Sequence, residues 1–271
     1  MLNRLKAYLQ QLSAEGIALA FSGGVDSSLL LALLAEIKHK KDFNLAVLTM
    51  HSALQSPDEI NEAKLFAANY GLENKVFTFN PFSLPEVRHN RTNRCYCCKK
   101  AIFSLFADYA RKQNIKYLID GTNADDLNVY RPGRQALKEL GVISPLAELG
   151  ISKAQIRALS ADMGLATASK PAVPCLATRF EYNTLLNDEK IKRVFQGEEF
   201  IKKLFPESKN VRLRIHSNLA RIELSAETIP LAAQKYQEIS SFLKTLGFDY
   251  ITLDLEGFRS GSLDISLKQN L

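Results

Sequence analysis

The sequence predicts an α/β protein, a doubly wound parallel sheet followed by a smaller α+β domain. Three observations carry this. Short apolar runs recur at residues 17–21, 45–50, 76–79 and 117–119; the stretches between them space their apolar residues helically; and the alternation stops near Met163. Strands separated by helices predict parallel pairing, and such sheets hold ligands at the carboxyl ends of their strands. A chain of 271 residues, 46% of them hydrophobic, can bury a sizeable core.

The elements follow in order. Leu2, Leu5, Leu9 and Leu12 mark one helix face, with Arg4 and Lys6 between them. This predicts a surface helix rather than a signal peptide, which needs an unbroken apolar centre. The longest apolar helix segment, 29–35, is far short of the ~20 residues that span a bilayer, so a cytoplasmic protein without membrane partners is expected. Ile60, Ala63, Leu65, Phe66 and Ala67, and again Ile102, Phe103, Leu105, Phe106 and Tyr109, mark further helices. "GLATASKPAVPC" is then rich in small residues and proline, and Pro171 and Pro174 exclude helix there. The expected organisation is a nucleotide domain at 1–168, a linker at 169–186 carrying Cys175, and a small α+β domain at 187–271 for substrate binding and oligomerisation. The small domain should hold a helix at 187–204, two strands in "VRLRIHSNLARIEL", a helix over about 226–246 and a strand in "YITLDL".

Net charge is +6 and the pI about 9.0. That suits phosphate-bearing ligands and is too modest for a nucleic-acid surface. Three of the four cysteines lie in "RCYCCKK" and the fourth is Cys175. In a reducing compartment they point to metal binding or catalysis rather than disulfides.

"SGGVDSS", residues 22–28, follows the first strand. Gly23 and Gly24 let the backbone bring its N–H groups close to an anion. The following helix adds unpaired first-turn amides and the positive end of its dipole, and Ser22, Ser27 and Ser28 can add hydroxyl donors. Asp26 reads as the helix N-cap and as a carboxylate able to orient a phosphate-bound metal. No Gly-Lys-Ser/Thr follows and G-x-G-x-x-G is absent, which excludes the P-loop and the dinucleotide fingerprint. A second turn, "IDGTNADD", offers Gly121, Thr122, Asn123 and Asp125 at another strand end.

"SGGVDS" between strand and helix resembles the PP-loop of the ATP pyrophosphatase superfamily, whose members split ATP between the α and β phosphates. The resemblance implies an adenine nucleotide alpha hydrolase-like sheet. It also implies that Ser22, Gly23, Gly24, Asp26, Ser27, Ser28, Gly121, Asn123 and Asp125 bind ATP with magnesium, Ser22 and Asp26 serving catalysis. Ser52, in "MHSA" after the second strand, matches the adenine-cradling turn, whereas His51 reads as structural.

"RCYCCKK", "RPGRQAL", "PCLATRF", "VRLRIHSNLARIEL" and "TLDLEGFRSG" resemble the ATP-dependent sacrificial sulfur transferase LarE family over nearly the whole chain. That family adenylates a carboxylate of pyridinium-3,5-biscarboxylic acid mononucleotide and installs sulfur on the way to the nickel-pincer nucleotide cofactor. Some members give up the sulfur of one cysteine; others hold a 4Fe-4S cluster on three cysteines and carry sulfide on the open iron. The resemblance to the second type implies Cys95, Cys98 and Cys175 as cluster ligands, with Cys175 catalytic. Arg94, Lys99 and Lys100 would favour thiolate. Cys97 is left as a spare ligand, a resolving thiol or a passenger, and the choice between cluster and sacrificial sulfur stays open.

In "VRLRIH", alternation puts Arg212, Arg214 and His216 on one face. Paired arginines read phosphate or carboxylate through forked hydrogen bonds. The resemblance implies that Arg212, Arg214 and Arg259 hold the substrate phosphate, with Glu198 as a further substrate contact. A small nucleotide substrate, a homo-oligomer and a downstream nickel insertase are the expected partners. The alternatives are a PP-loop tRNA thiolase, which usually carries zinc modules or an RNA-binding domain, and an amidating ligase such as an NAD synthetase, which has no use for the cysteines.

Overall fold

A computed structural model describes residues 1–128 and 132–259. Arg131 of "RPGRQAL" and the last two residues of "TLDLEGFRSG", Ser260 and Gly261, lie outside the described residues. The elements run α1 (Leu2–Ser13), β1 (Ile17–Ala20), α2 (Val25–Lys40), β2 (Leu45–His51), α3 (Pro57–Asn69), β3 (Asn74–Thr78), α4 (Pro85–Arg88), α5 (Arg94–Lys112), β4 (Tyr117–Ile119), α6 (Gly133–Glu139), α7 (Pro145–Glu148) and α8 (Lys153–Asp162). They continue with α9 (Asp188–Leu204), β5 (Val211–His216), β6 (Leu219–Leu224), α10 (Ile229–Gln234), α11 (Tyr236–Thr245) and β7 (Tyr250–Leu253).

The chain divides into two compact units, 1–84 with 93–172, and 85–92 with 173–271. In the first, β3-β2-β1-β4 pair in parallel. Strand residues alternate between faces. Ile17, Leu19, Val47 and Ile119 therefore pack with Leu5 and Leu9 of α1, Leu30 and Leu33 of α2 and Ile156 of α8, while Ala18, Leu48 and Leu118 pack with Phe103 and Phe106 of α5 on the other side. Over 29–34 α2 is apolar on every side and buried, as fits a helix segment enclosed by its neighbours, and each fully buried leucine contributes roughly 1.5–3 kcal/mol.

In the second unit, β5 and β6 form an antiparallel hairpin and β7 joins β6 in parallel. Ser217 turns the hairpin with φ +55°. α9 lies close on β5 because Gly197 has no side chain: a Cβ there would fall 2.5 Å from Leu213 Cδ2.

Two expectations on segment limits meet a different arrangement. The helix expected over about 226–246 is divided into α10 and α11, with Pro230 in the first turn of α10, where its missing N–H costs nothing. The stretch read as a linker parts between residues 172 and 173, and residues 85–92 join the second unit. Asn90 Nδ2 donates to Phe180 O and Glu181 O at 3.1 and 2.8 Å, and Leu186 N donates to Arg88 O at 2.7 Å. Among the described residues no helix is long and apolar enough to cross a membrane.

Candidate active site

The strand order reverses between β1 and β4, the place where a doubly wound sheet leaves a crevice for ligands. Both glycine motifs leave the carboxyl ends of these two strands. Gly23 takes φ +70°, and a Cβ there would meet Ala63 Cβ at 3.3 Å. The N-cap of α2 is Gly24, not Asp26, which sits within the first turn. Its carboxylate is drawn sideways instead: Asn123 Nδ2 donates to Oδ1 at 3.2 Å and Lys153 Nζ donates to Oδ2. The first-turn amides of α2 have no partner inside the helix, so the turn keeps its anion-binding character.

The serines divide by exposure. Ser22 is exposed, and its hydroxyl lies 3.2 Å from Ser27 Oγ. Ser27 Oγ donates to Gly24 O at 3.2 Å and accepts from Ser22 N at 3.3 Å, bracing the turn. Ser28, expected to present a donor, is wholly buried, and its hydroxyl has no hydrogen-bond partner among the described residues; helix packing encloses it. One carboxylate beside amides open to an anion fits magnesium, which keeps several waters and takes one or two protein carboxylates plus phosphate oxygens.

The second motif braces the first. Gly121 leaves no room for a side chain: a Cβ would lie 3.1 Å from Ser27 N and 3.2 Å from Asp26 Cβ. Buried Asn123 accepts from the backbone N–H groups of Asp125 and Asp126 at 3.0 and 3.3 Å while holding Asp26. Asp125 accepts from Lys153 N at 2.8 Å, fixing the start of α8. Thr122 donates to Asp120 at 2.5 Å. Ser52 turns towards Gln55, whose Oε1 accepts from its backbone N–H at 3.1 Å.

Two lysines at this turn escape the sequence reading. Besides Lys153, Lys170 Nζ donates to Gly23 O at 3.2 Å and to Glu62 at 2.6 Å. Arg157 secures that segment by donating to Ala168 O and Lys170 O at 2.5 and 2.8 Å. No spacing rule marks either lysine; only the fold returns α8 and the 168–170 segment to the turn.

In the second unit Cys175 is exposed and begins a short 3-10 turn, Leu176–Arg179. Arg179, also missed in the sequence, is buried. Its Nε and Nη2 donate to Glu198 at 2.9 and 3.0 Å, and its Nη1 donates to Pro174 O, Cys175 O and Thr178 Oγ1 at 2.8, 3.3 and 3.0 Å. Glu198 therefore faces Arg179, and it also accepts from Leu213 N at 2.9 Å.

Every residue of β5 from Val211 to Ile215 is buried, so its arginines lie on no solvated face. Arg214 donates to Glu223 at 3.0 Å and to Thr178 O at 2.6 Å. Arg212 is different: its contacts are the carbonyl of Val211 at 2.7 Å and the face of Phe258 at 5.1 Å, with no carboxylate in salt-bridge reach among the described residues. Burial first, then the positive charge of Arg179, pulls its guanidinium down to about 10. It is charged at neutral pH, and Glu198 and Glu223 act on it from beyond salt-bridge reach, which leaves it able to take an anion. Arg259 pairs with Glu256 at 2.5 Å and Asp254 at 3.6 Å.

The remaining cysteines open α5. Cys95 and Cys98, three residues apart, share a helix face, and Cys97 points about 100° away from Cys98. Cys95 is exposed and Cys97 and Cys98 are half-buried. Among the described residues no group of three or more His, Cys, Asp or Glu is assembled for a metal ion. The Cys95/Cys98 pair suits two ligand positions of a cluster; Cys175 belongs to the other unit. Lys100, expected to favour thiolate, is instead paired with Glu139 at 2.8 Å, which holds its ammonium above the ordinary range.

A PP-loop domain model matches residues 1–127. Together with the parallel sheet and its turn, this defines a PP-loop, ATP-using enzyme. The chain is 33% identical over 254 residues to the pyridinium-3,5-bisthiocarboxylic acid mononucleotide synthase of Lactiplantibacillus plantarum, covering 93% of this chain and 90% of that one. It is 39% identical over 248 residues to an uncharacterized protein of Synechocystis sp., covering 91% of each, and 32% identical over 258 residues to an uncharacterized protein of Methanocaldococcus jannaschii, covering 95% of each. The chain belongs to the LarE family.

Proposed function

We propose that the chain is an AMP- and pyrophosphate-forming sulfurtransferase that converts a carboxylate of pyridinium-3,5-biscarboxylic acid mononucleotide to a thiocarboxylate. One observation carries the reading: an exposed thiol, Cys175, sits in the same unit as a buried arginine cluster in which Arg212 has no carboxylate in salt-bridge reach among the described residues. A sulfur transfer to a phosphorylated substrate needs both; an amidating ligase needs no thiol.

Ser22, Gly23, Gly24 and the first-turn amides of α2 receive the pyrophosphate end of ATP, Lys153 and Lys170 add positive charge, and Asp26 orients magnesium. A substrate carboxylate oxygen attacks the α-phosphorus, the bond to the β-bridging oxygen breaks, and pyrophosphate leaves. The acyl adenylate then takes a sulfur nucleophile at its carbonyl carbon and AMP departs. Positioning and charge neutralisation supply most of the acceleration. Arg212 takes the substrate phosphate, with Arg214 and Arg259 shaping the site and Glu198 holding Arg179. Cys95, Cys98 and Cys175 would hold a 4Fe-4S cluster, which would supply the sulfide nucleophile. The same reading has the protein work in the cytoplasm as a homo-oligomer that passes product to a nickel insertase.

Anaerobic purification with iron and sulfide assays, followed by turnover with ATP and substrate and intact mass before and after, tests this. AMP and thiocarboxylate with iron present and protein mass unchanged are expected. Loss of hydrogen sulfide from Cys175 without iron would replace the cluster with sacrificial sulfur, and absence of AMP would overturn the function.

A further inference from the structure

We propose that Arg179 is a positioning residue for Cys175, forming with Glu198 a buried clamp that fixes the turn from which the thiol acts. This rests on the reading of Cys175 as the sulfur-handling residue. The need for a clamp follows from the local sequence. Pro171 and Pro174 have no N–H, so the approach to Cys175 cannot be fully laced into backbone structure, and carbonyls turned inward must find side-chain donors. At the ends of the turn, Thr178 N donates to Cys175 O at 3.0 Å and Phe180 N to Ala177 O at 3.3 Å.

Arg179 supplies the missing donors. One edge of its guanidinium pairs with both oxygens of Glu198, and the remaining nitrogen reaches three acceptors between residues 174 and 178. Thr178 Oγ1 donates to Cys175 O at 2.7 Å. Glu198 is itself fixed by Leu213 N at 2.9 Å, so the turn is referred through two side chains to β5. With its carbonyl drawn inward and Leu176 and Ala177 buried behind it, Cys175 remains exposed. Lysine cannot replace this fork, since a point charge serves one direction where a planar guanidinium serves several.

The test compares wild type with Arg179→Lys and with Thr178→Val, which keeps the ion pair but removes the hydroxyl that bonds Cys175 O. Three readouts are taken on the full chain: ATP–pyrophosphate exchange with the substrate, thiocarboxylate formation, and iodoacetamide labelling of Cys175 followed by peptide mass. The expected result for Thr178→Val is unchanged exchange with lower thiocarboxylate formation and an altered labelling rate at Cys175; Arg179→Lys lowers thiocarboxylate formation by about a hundredfold, as for a small misplacement of a reacting group, a far larger factor than its effect on exchange, and alters the same labelling rate. Parallel loss of exchange and transfer would mark a merely structural arginine and overturn the proposal, as would wild-type labelling and transfer in a folded variant. If Arg179→Lys does not fold, Thr178→Val alone decides by the same criteria. Full thiocarboxylate formation by Cys175→Ala would instead remove the functional reading while the labelling comparison still reported on the clamp.

Discussion

Lys153, the first residue of α8, donates its ammonium to Asp26 in the first turn of α2. The pair fixes a carboxylate and a cation side by side where the sheet order reverses. Replacing Lys153 by methionine keeps the aliphatic stem and removes the charge, and ATP–pyrophosphate exchange should fall about a hundredfold, as when one preorganised donor is lost from an electrostatic site. Cys175 labelling should not change. Exchange at the wild-type rate would exclude Lys153 from the nucleotide site.

Gly121→Ala places a methyl against backbone rather than a flexible side chain, 3.1 Å from Ser27 N. Overpacking of this kind costs roughly 1–3 kcal/mol, and each 1 kcal/mol lowers Tm by about 2–4 °C in a domain of this size. Calorimetry should show that drop, and nucleotide titration should show weaker ATP binding because the start of α2 must shift. A wild-type Tm together with wild-type affinity would contradict the packing argument.

Arg212→Met should raise stability while abolishing substrate binding. Exchanging buried charge for apolar volume is often neutral or stabilising, by about 1–4 kcal/mol, and Arg212 has no carboxylate within salt-bridge reach among the described residues to leave stranded. Thermal melting with added phosphate separates the effects: phosphate should raise the Tm of wild type by mass action and leave the variant unmoved. Equal phosphate response in both would place the anion elsewhere.

Cys95→Ala and Cys98→Ala should each lower the iron content of anaerobically purified protein, whereas Cys97→Ala should not. The distinction follows from the shared helix face of residues three apart. Iron loss in Cys97→Ala equal to that in the other two would give all three thiols a part in metal binding.

Much of the first unit is legible in the sequence, because β1, β2 and β4 are short apolar runs and α2 carries an unbroken apolar stretch, 29–35, after a glycine turn. Both motifs were visible since each leaves a strand directly. What escaped depended on distance along the chain. Lys153 and Lys170 reach the turn through long-range packing, and Arg179 looks like any arginine until Glu198 is found opposite it. Asp26 misled as an N-cap because its local preference yields to Asn123 and Lys153, partners nearly a hundred residues or more away. The arginines of β5 were legible by period, yet only their surroundings separate Arg214, committed to Glu223 and Thr178, from Arg212.

A buried cation with no carboxylate in salt-bridge reach among the described residues couples ligand to fold. Every anion that reaches Arg212 removes part of a standing electrostatic penalty, so protease resistance of the second unit should track occupancy. Limited digestion across a panel of phosphorylated small molecules would then rank candidate substrates without any assay of turnover, and the protein would report its own ligand by how long it survives.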